Sequence, residues 1–209
     1  MKVNKKIFLL QALLSFFILE IYAQNIGNEG ISDKERANAI SYLKDAERDL
    51  LDLLENLSID QWNFRSAAES WSIAEVCQHL LLVEEQFFHK IESEIVKSEK
   101  ELDQHSKYGD NEFMTFIRDR SSKVKTTHEF EPRKSFKRPG AFIKAFKKTR
   151  RKTIAYLVNT KDDLRNQLAA FSPNVGDIDG YQWFLFITAH NDRHNAQIAE
   201  IKKQLNFPG

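Results

Sequence analysis

The segment AHNDRHNAQI, residues 189–198, places two histidines four positions apart inside a long helical pattern. Side chains four residues apart are neighbours on one face of a helix. The inward stripe of the surrounding segment, IDGYQWFLFITAHNDRHNAQIAEIKKQLN, has helical spacing and consists of Phe184, Ile187, His190 or Asn191, His194, Ile198, Ile201 and Leu205. His190 and His194 are therefore predicted to lie one above the other on a face that otherwise belongs to a core.

Three further segments show the same periodicity: ISDKERANAISYLKDAERDLLDLLENLS, WSIAEVCQHLLLVEEQFFHKIESEIVKS and PGAFIKAFKKTRRKTIAYLVN. Ser32 with Glu35, and Ser72 with Glu75, match the capping box that starts a helix. Residues 99–140 are polar and poorly periodic, and one short helix is predicted there around NEFMTFIRDR. Four long helices with apolar seams predict an all-α fold, a four-helix bundle.

The beginning of the chain is predicted to be a secretory signal peptide, residues 1–23. The basic stretch MKVNKK precedes the apolar stretch IFLLQALLSFFIL, and cleavage is expected after Ala23. The apolar stretch is shorter than the roughly 20 residues that span a bilayer, although an uncleaved membrane anchor is the alternative. We therefore expect an exported protein, periplasmic or extracellular, with a short linker at 24–31 and the helical domain at 32–209.

The bulk composition is that of a soluble globular domain, with 209 residues, a formal net charge of +1 and 42% apolar residues. Balanced charge gives no general attraction to nucleic acid, and none is expected as a partner. The segment 133–152 contains no acidic residue, so contact with an anionic membrane is one interpretation. We favour a solvated helix face, because its basic residues lie mostly between the apolar positions. The single cysteine, Cys77, excludes an intrachain disulfide and is predicted to be buried.

A third histidine, His79, lies within or at the edge of the apolar stripe of the second long helix. A lone histidine at a core edge is usually a hydrogen-bonded structural residue, and an isolated H-x-x-x-H pair is weak support for a metal site. Three imidazoles converging in one core would nevertheless be costly without a shared partner. Three imidazoles and an open position form the ligand set of catalytic zinc, although nickel, cobalt, manganese and iron also accept imidazole.

The motifs W-S-x-x-E-x-x-x-H-L at 71–80 and H-x-x-R-H-x-x-Q-I at 190–198 are similar, in order and separation, to those of the DinB/YfiT-like superfamily. The resemblance extends over nearly all of the chain after the predicted leader. It implies a four-helix bundle that holds one divalent metal ion through His79, His190 and His194. Zinc or nickel is the preferred ion, with manganese, iron or cobalt as alternatives, and a homodimer is a further expectation because relatives are often dimers.

Three other residues of the motifs have predicted roles close to the metal. Glu75 stands one helical turn before His79 and is a candidate catalytic residue that would orient a ligand or a metal-bound water, although its capping box explains it fully. Arg193 and Gln197 match the family motif and are candidates for fixing substrate or ligand geometry. Arg193 is rotated off the ligand face, where pairing with a surface acid is the alternative.

The resemblance leaves the reaction open, because characterised relatives include thiol S-transferases, a thiol-dependent isomerase and proteins proposed as hydrolases. The predicted function is a metal-dependent enzyme, of hydrolase or thiol S-transferase type, that activates water or a thiol against a small-molecule substrate. The alternative is a non-catalytic helical bundle that binds a metal ion or a ligand. The remaining histidines, His89, His105 and His128, are assigned to no site.

Overall fold

Helices dominate the fold in the computed structural model, which describes residues 30–98, 106–122, 124–133 and 136–209. The described residues form six α-helices: α1 (Asp33–Leu54), α2 (Ile59–Asn63), α3 (Ile73–Ser93), α4 (Asp110–Arg118), α5 (Pro139–Asn159) and α6 (Gly180–Lys202). The four long helices are the four that the sequence predicts. The predicted signal peptide and most of the predicted linker lie outside the described residues, and both stay predictions.

Each long helix begins at a start signal in its sequence: three have a side-chain cap for the free amide groups of the first turn, and one has a proline. Ser32 and Ser72 each close a complete capping box with the glutamate three residues later, as predicted. Helix α5 begins at Pro139, whose fixed φ suits the first helical position. The side chain of Asp179 caps α6 by accepting a hydrogen bond from the backbone amide of Gln182.

The long helices pack so that α1 and α3 each contact both α5 and α6. This arrangement places α1 and α3 at opposite corners of the bundle, with α5 and α6 at the other two. Helix α4 packs on the side of α6, and the inward stripe of α6 is buried as far as Ile201. The prediction for Leu205 is wrong, because α6 ends at Lys202 and Leu205 is exposed beyond that end.

The core consists of two apolar clusters with polar side chains between them. One cluster includes Leu50, Val76, Phe146 and Ile198, and the other includes Leu43, Val83, Leu157 and Phe184. Four buried polar residues, which we call the polar layer, lie at the level where the clusters meet: Glu84 on α3, Arg150 on α5, and Asn191 and Asn195 on α6. Arg150 is therefore an exception to the solvated face predicted for residues 133–152, whereas Lys144, Lys148, Arg151 and Lys152 are exposed.

A β-hairpin between α5 and α6 departs from the all-α prediction. Strands β1 (Leu168–Ser172) and β2 (Gly176–Asp179) pair antiparallel, with an irregularity in register between Ala170 and Ser172. Gly176 adopts a φ of 85°, a left-handed conformation that favours glycine at the turn. The strands are short and only partly buried, so they carry little of the alternating pattern by which a strand is predicted.

The segment between α3 and α5 contains α4, as predicted, and a single-turn helix at His128–Phe130. Cys77 is buried, which agrees with its predicted apolar role. No helix within the described residues combines the length and the apolarity needed to cross a bilayer.

Candidate metal centre

Three histidines from two helices meet at the interface of α3 and α6. The Nε2 atom of His190 lies 3.1 Å from Nε2 of His79 and 3.1 Å from Nε2 of His194. One nitrogen of each ring lies within 4.8 Å of the other two, and among the described residues no carboxylate or cysteine joins this group. The structure thus brings together the three histidines that the sequence singles out, and we call them the histidine cluster.

Two of the three Nε2–Nε2 separations in the cluster, those that involve His190, suit a shared cation. Two imidazole nitrogens bound to one ion at about 2.05 Å are about 2.9 Å apart at a right angle and about 3.35 Å apart at the tetrahedral angle. The 3.1 Å separations of the histidine cluster fall between these values. The donor set and these two separations therefore fit a divalent transition-metal ion.

The other ring nitrogen of two of these histidines is engaged by an acceptor. Nδ1 of His79 donates to the backbone carbonyl of Phe130 over 2.8 Å, and Nδ1 of His194 donates to Oε1 of Gln197 over 2.7 Å. Because a carbonyl oxygen only accepts, each ring carries its proton on Nδ1 and a lone pair on Nε2. Both lone pairs point toward the centre of the cluster, as they do in metal-binding histidines.

Burial keeps the three rings neutral near pH 7. Residues His79 and His194 are 4% and 8% exposed, and His190 is partly buried. Burial lowers the pKa of His79, and it lowers the pKa of His194 to about 3. Burial is also the main reason that the pKa of His190 lies well below its usual value, and the two neighbouring imidazoles lower it further. Neutral imidazole is the form that binds a metal ion.

The hydrogen atoms available inside the histidine cluster are too few for its lone pairs. Nε2 of His79 and Nε2 of His194 both present a lone pair, and the one candidate donor between them is Nε2 of His190. A single N–H can make a well-aligned hydrogen bond with only one of them. One acceptor is then left without a partner among the three rings, and an unpaired buried acceptor typically costs about 1–3 kcal/mol. A cation shared by the three nitrogens removes this deficit.

Aromatic rings flank the histidine cluster on two sides. The ring of Trp71 lies 5.0 Å from the ring of His79, and the ring of Phe186 lies 5.2 Å from that of His190. Phe87 stacks on Phe186 at 4.7 Å. These rings exclude water from part of the centre, and low polarity strengthens electrostatic interactions there.

Glu75 is engaged at the start of α3. Its Oε2 accepts hydrogen bonds from the backbone amide and the hydroxyl of Ser72, at 2.8 and 3.0 Å, and its Oε1 accepts one from Arg65. Both carboxylate oxygens are thus occupied by the capping box and an ion pair. Glu75 lies outside the histidine cluster, and the capping interpretation accounts for its contacts.

Arg193 points away from the histidines and holds a neighbouring segment. Its guanidinium donates to the backbone carbonyls of Ile117, over 3.4 Å, and Ser122, over 3.0 Å, and among the described residues it forms no ion pair with a surface acid, which was the alternative role. A salt bridge also joins Arg120 to Glu200 of α6, at 2.6 Å. The contacts of both arginines therefore hold the segment that follows α4 against α6, the helix that carries two of the histidines.

Gln197 is the motif residue that forms a hydrogen bond with a histidine. The sequence did not reveal the role of the Phe130 carbonyl or the buried position of Arg150. The carbonyl of Phe130 is a backbone group in an irregular segment, so no side-chain pattern could reveal it. The buried position of Arg150 had a signal: it follows Phe146 by four residues, at the spacing of the inward stripe of α5.

Comparisons with known proteins agree with this architecture. The protein YuaE of Bacillus subtilis (strain 168) is 24% identical over 166 residues, which are 79% of this chain and 98% of YuaE. The solved structure of YfiT from Bacillus subtilis, described as "a probable metal-dependent hydrolase with an unusual four-helix bundle topology", resembles this fold with a TM-score of 0.56 at 14% identity. That similarity covers 86% of this chain and 92% of YfiT.

The region that matches a protein-family model includes all three histidines of the cluster. The model of the DinB superfamily matches residues 42–198, a stretch that contains His79, His190 and His194 and forms most of the chain. This chain therefore belongs to the DinB superfamily.

Proposed function

We propose that this protein is a divalent-metal-dependent hydrolase whose metal ion is held by His79, His190 and His194. One observation carries the proposal: three neutral imidazoles converge on one point with more lone pairs than hydrogen atoms. Buried polar groups are normally satisfied, and hydrogen bonds among these three rings alone cannot satisfy all their lone pairs. A shared cation does.

His79, His190 and His194 would hold a divalent cation, which would supply Lewis acidity and would lower the pKa of a bound water. Zinc and nickel suit three imidazole ligands best, and manganese, iron and cobalt are the alternatives. The described residues supply three ligands, which supports catalysis over a purely structural metal, since structural zinc sites are usually closed by four protein ligands.

The chain's own residues have separable tasks in this proposal. The carbonyl of Phe130 and the amide of Gln197 fix the tautomer and the orientation of His79 and His194. The rings of Trp71 and Phe186 exclude water from the flanks of the cluster. Arg193 holds the segment that follows α4 against α6, which makes it a positioning residue of the enclosure.

The likeness to YfiT supports hydrolysis as the reaction, because that protein is described as a probable metal-dependent hydrolase. The substrate in the proposal is a small molecule with an electrophilic carbonyl or related centre. Thiol transfer is the second reaction that the same Lewis acid could promote. The thiol would come from a second substrate, because the protein's only cysteine is buried and burial raises its pKa well above the usual value.

The test is metal analysis of the purified protein, followed by activity assays with and without added zinc, nickel or manganese. We expect about one ion per chain from the three-ligand set, and metal-dependent hydrolysis of an ester or amide panel. A thiol-transfer panel runs beside it, and activity in that panel alone would replace hydrolysis by transfer. Stoichiometric metal without activity in either panel would favour a non-catalytic binding bundle, and absence of metal binding would overturn the proposal.

Replacement of Gln197 by alanine is expected to weaken metal binding by about 10–100-fold, the usual effect of removing a hydrogen-bond partner of a ligand. The reason is that Nδ1 of His194 loses its acceptor, so the ring loses its fixed tautomer and orientation. Competition with a metal-binding dye measures the change. Gln197→Glu keeps an acceptor at this position and should retain most of the affinity. Equal affinity in Gln197→Ala and the original protein would remove this role.

A further inference from the structure

The polar layer links the two helices that carry the histidines. Arg150 is 0% exposed and forms two hydrogen bonds with Glu84 of α3, both at 2.8 Å. The same guanidinium donates to Oδ1 of Asn191 on α6 over 2.9 Å and to the backbone carbonyl of Leu43 on α1. One side chain of α5 is thus bonded to the other three long helices.

Asn191 extends this network along α6. Its Nδ2 donates to Oδ1 of Asn195 over 3.0 Å, and Nδ2 of Asn195 donates to the backbone carbonyl of Ala46 on α1 over 3.1 Å. Asn191 and Asn195 directly follow His190 and His194 in the sequence. Each metal-ligand candidate on α6 is therefore adjacent to an asparagine whose amide is anchored in the core.

Small rotations of α6 would disrupt the histidine cluster. A side-chain atom about 6 Å from a helix axis moves by about 1 Å when the helix turns by about 10°. Metal–ligand distances tolerate changes of only about 0.2 Å. The rotation of α6 relative to α3 must therefore be fixed closely, and apolar contacts alone fix it poorly because they have no preferred direction. The hydrogen bonds of Asn191, in contrast, have a preferred direction.

We propose that Asn191 is a positioning residue for the metal centre: its bond to the buried Arg150–Glu84 pair sets the rotation of α6, so that His190 and His194 face His79. This inference rests on the proposed function. It assigns the polar layer a task beyond stability, because Glu84 lies on the same helix as His79 and Arg150 bridges that helix to α6. Asn191 itself contacts no ligand in this proposal.

The test compares Asn191→Leu with Thr153→Val, a matched control. Thr153 is fully buried in the same network and donates to Oε1 of Glu84 over 3.0 Å, but it leaves the Arg150–Asn191 bond in place. Both changes remove buried hydrogen bonds, so both should lower the melting temperature of the metal-free protein. The dissociation constant for zinc, measured by competition with a chelating dye, then shows whether Asn191 only stabilises the fold or also positions the metal ligands.

We expect Asn191→Leu to weaken zinc binding by about 10–100-fold, the range seen for outer partners of metal ligands. Thr153→Val should bind zinc as the unchanged protein does. Asn191→Asp, which retains an acceptor for Arg150, should recover most of the lost affinity. If Asn191→Leu does not fold, Asn191→Ala removes the same two hydrogen bonds and leaves room for water.

Two outcomes would overturn the inference, and they are distinguishable. Equal zinc affinity in Asn191→Leu and Thr153→Val would remove the positioning role and leave the proposed function intact. Absence of zinc binding by the unchanged protein, tested beside nickel and manganese, would overturn the proposed function together with this inference.

Discussion

Replacement of His190 by alanine is expected to abolish metal binding and all metal-dependent activity. His190 is the central member of the cluster, since its Nε2 lies 3.1 Å from Nε2 of each of the other two histidines. Without it, the remaining ligands are a single imidazole on each of two helices. We expect the metal content to fall from about one ion per chain to nearly none, because three protein ligands are the usual minimum of a catalytic zinc site.

The same change should remove metal-dependent stabilisation. An ion present at about 1,000 times its dissociation constant stabilises a folded protein by about 4 kcal/mol. Urea unfolding with and without zinc or nickel measures this difference for both proteins. His89→Ala is the matched control, because His89 lies on the exposed surface of α3 and outside the cluster. The metal site would be refuted if His190→Ala were stabilised as strongly as His89→Ala.

Replacement of Arg150 by methionine is expected to lower the free energy of unfolding by about 3–5 kcal/mol, the usual effect of breaking a buried ion pair on one side. The carboxylate of Glu84 would keep the bond from Thr153 but lose both bonds from the guanidinium. Leu43 would lose the donor to its carbonyl, and Asn191 would lose the donor to its amide oxygen. Urea unfolding of the metal-free protein measures the loss.

Two comparisons sharpen this prediction. Arg48→Ala breaks an exposed pair with Asp45, at 2.7 Å, and should change stability by about 0–1 kcal/mol. The double variant Arg150→Met, Glu84→Met removes both charges and should regain much of the stability lost in Arg150→Met. A loss in Arg150→Met no larger than that in Arg48→Ala would contradict the structure of the polar layer.

The long helices were predictable because their signals are local. Capping boxes at Ser32 and Ser72 mark where helices begin, and apolar residues spaced three or four apart mark which faces are buried. The hairpin at 168–179 escaped prediction because its strands are short and lack alternation. The prediction for Leu205 fails because the apolar spacing continues to Leu205, whereas the helix ends at Lys202.

The candidate site was predictable to the extent that it depends on helix geometry. His190 and His194 share a face because they are four residues apart, and His79 joined them through the inward stripe of its own helix and the family resemblance. The orienting carbonyl of Phe130 depends on the path of an irregular segment, which no local pattern specifies. The interior position of Arg150 was overlooked because a charged residue in a basic segment is usually solvated.

The polar layer also has a consequence for the axial alignment of the bundle. Helices that meet only through apolar side chains can slide past each other by one turn, about 5.4 Å, and still bury similar surfaces. A slide of that size would leave the charges of Glu84 and Arg150 facing apolar neighbours, at a cost of several kcal/mol. As a polar pair does in a coiled coil, this single level of charged and amide groups selects one alignment out of several that the apolar clusters alone would permit.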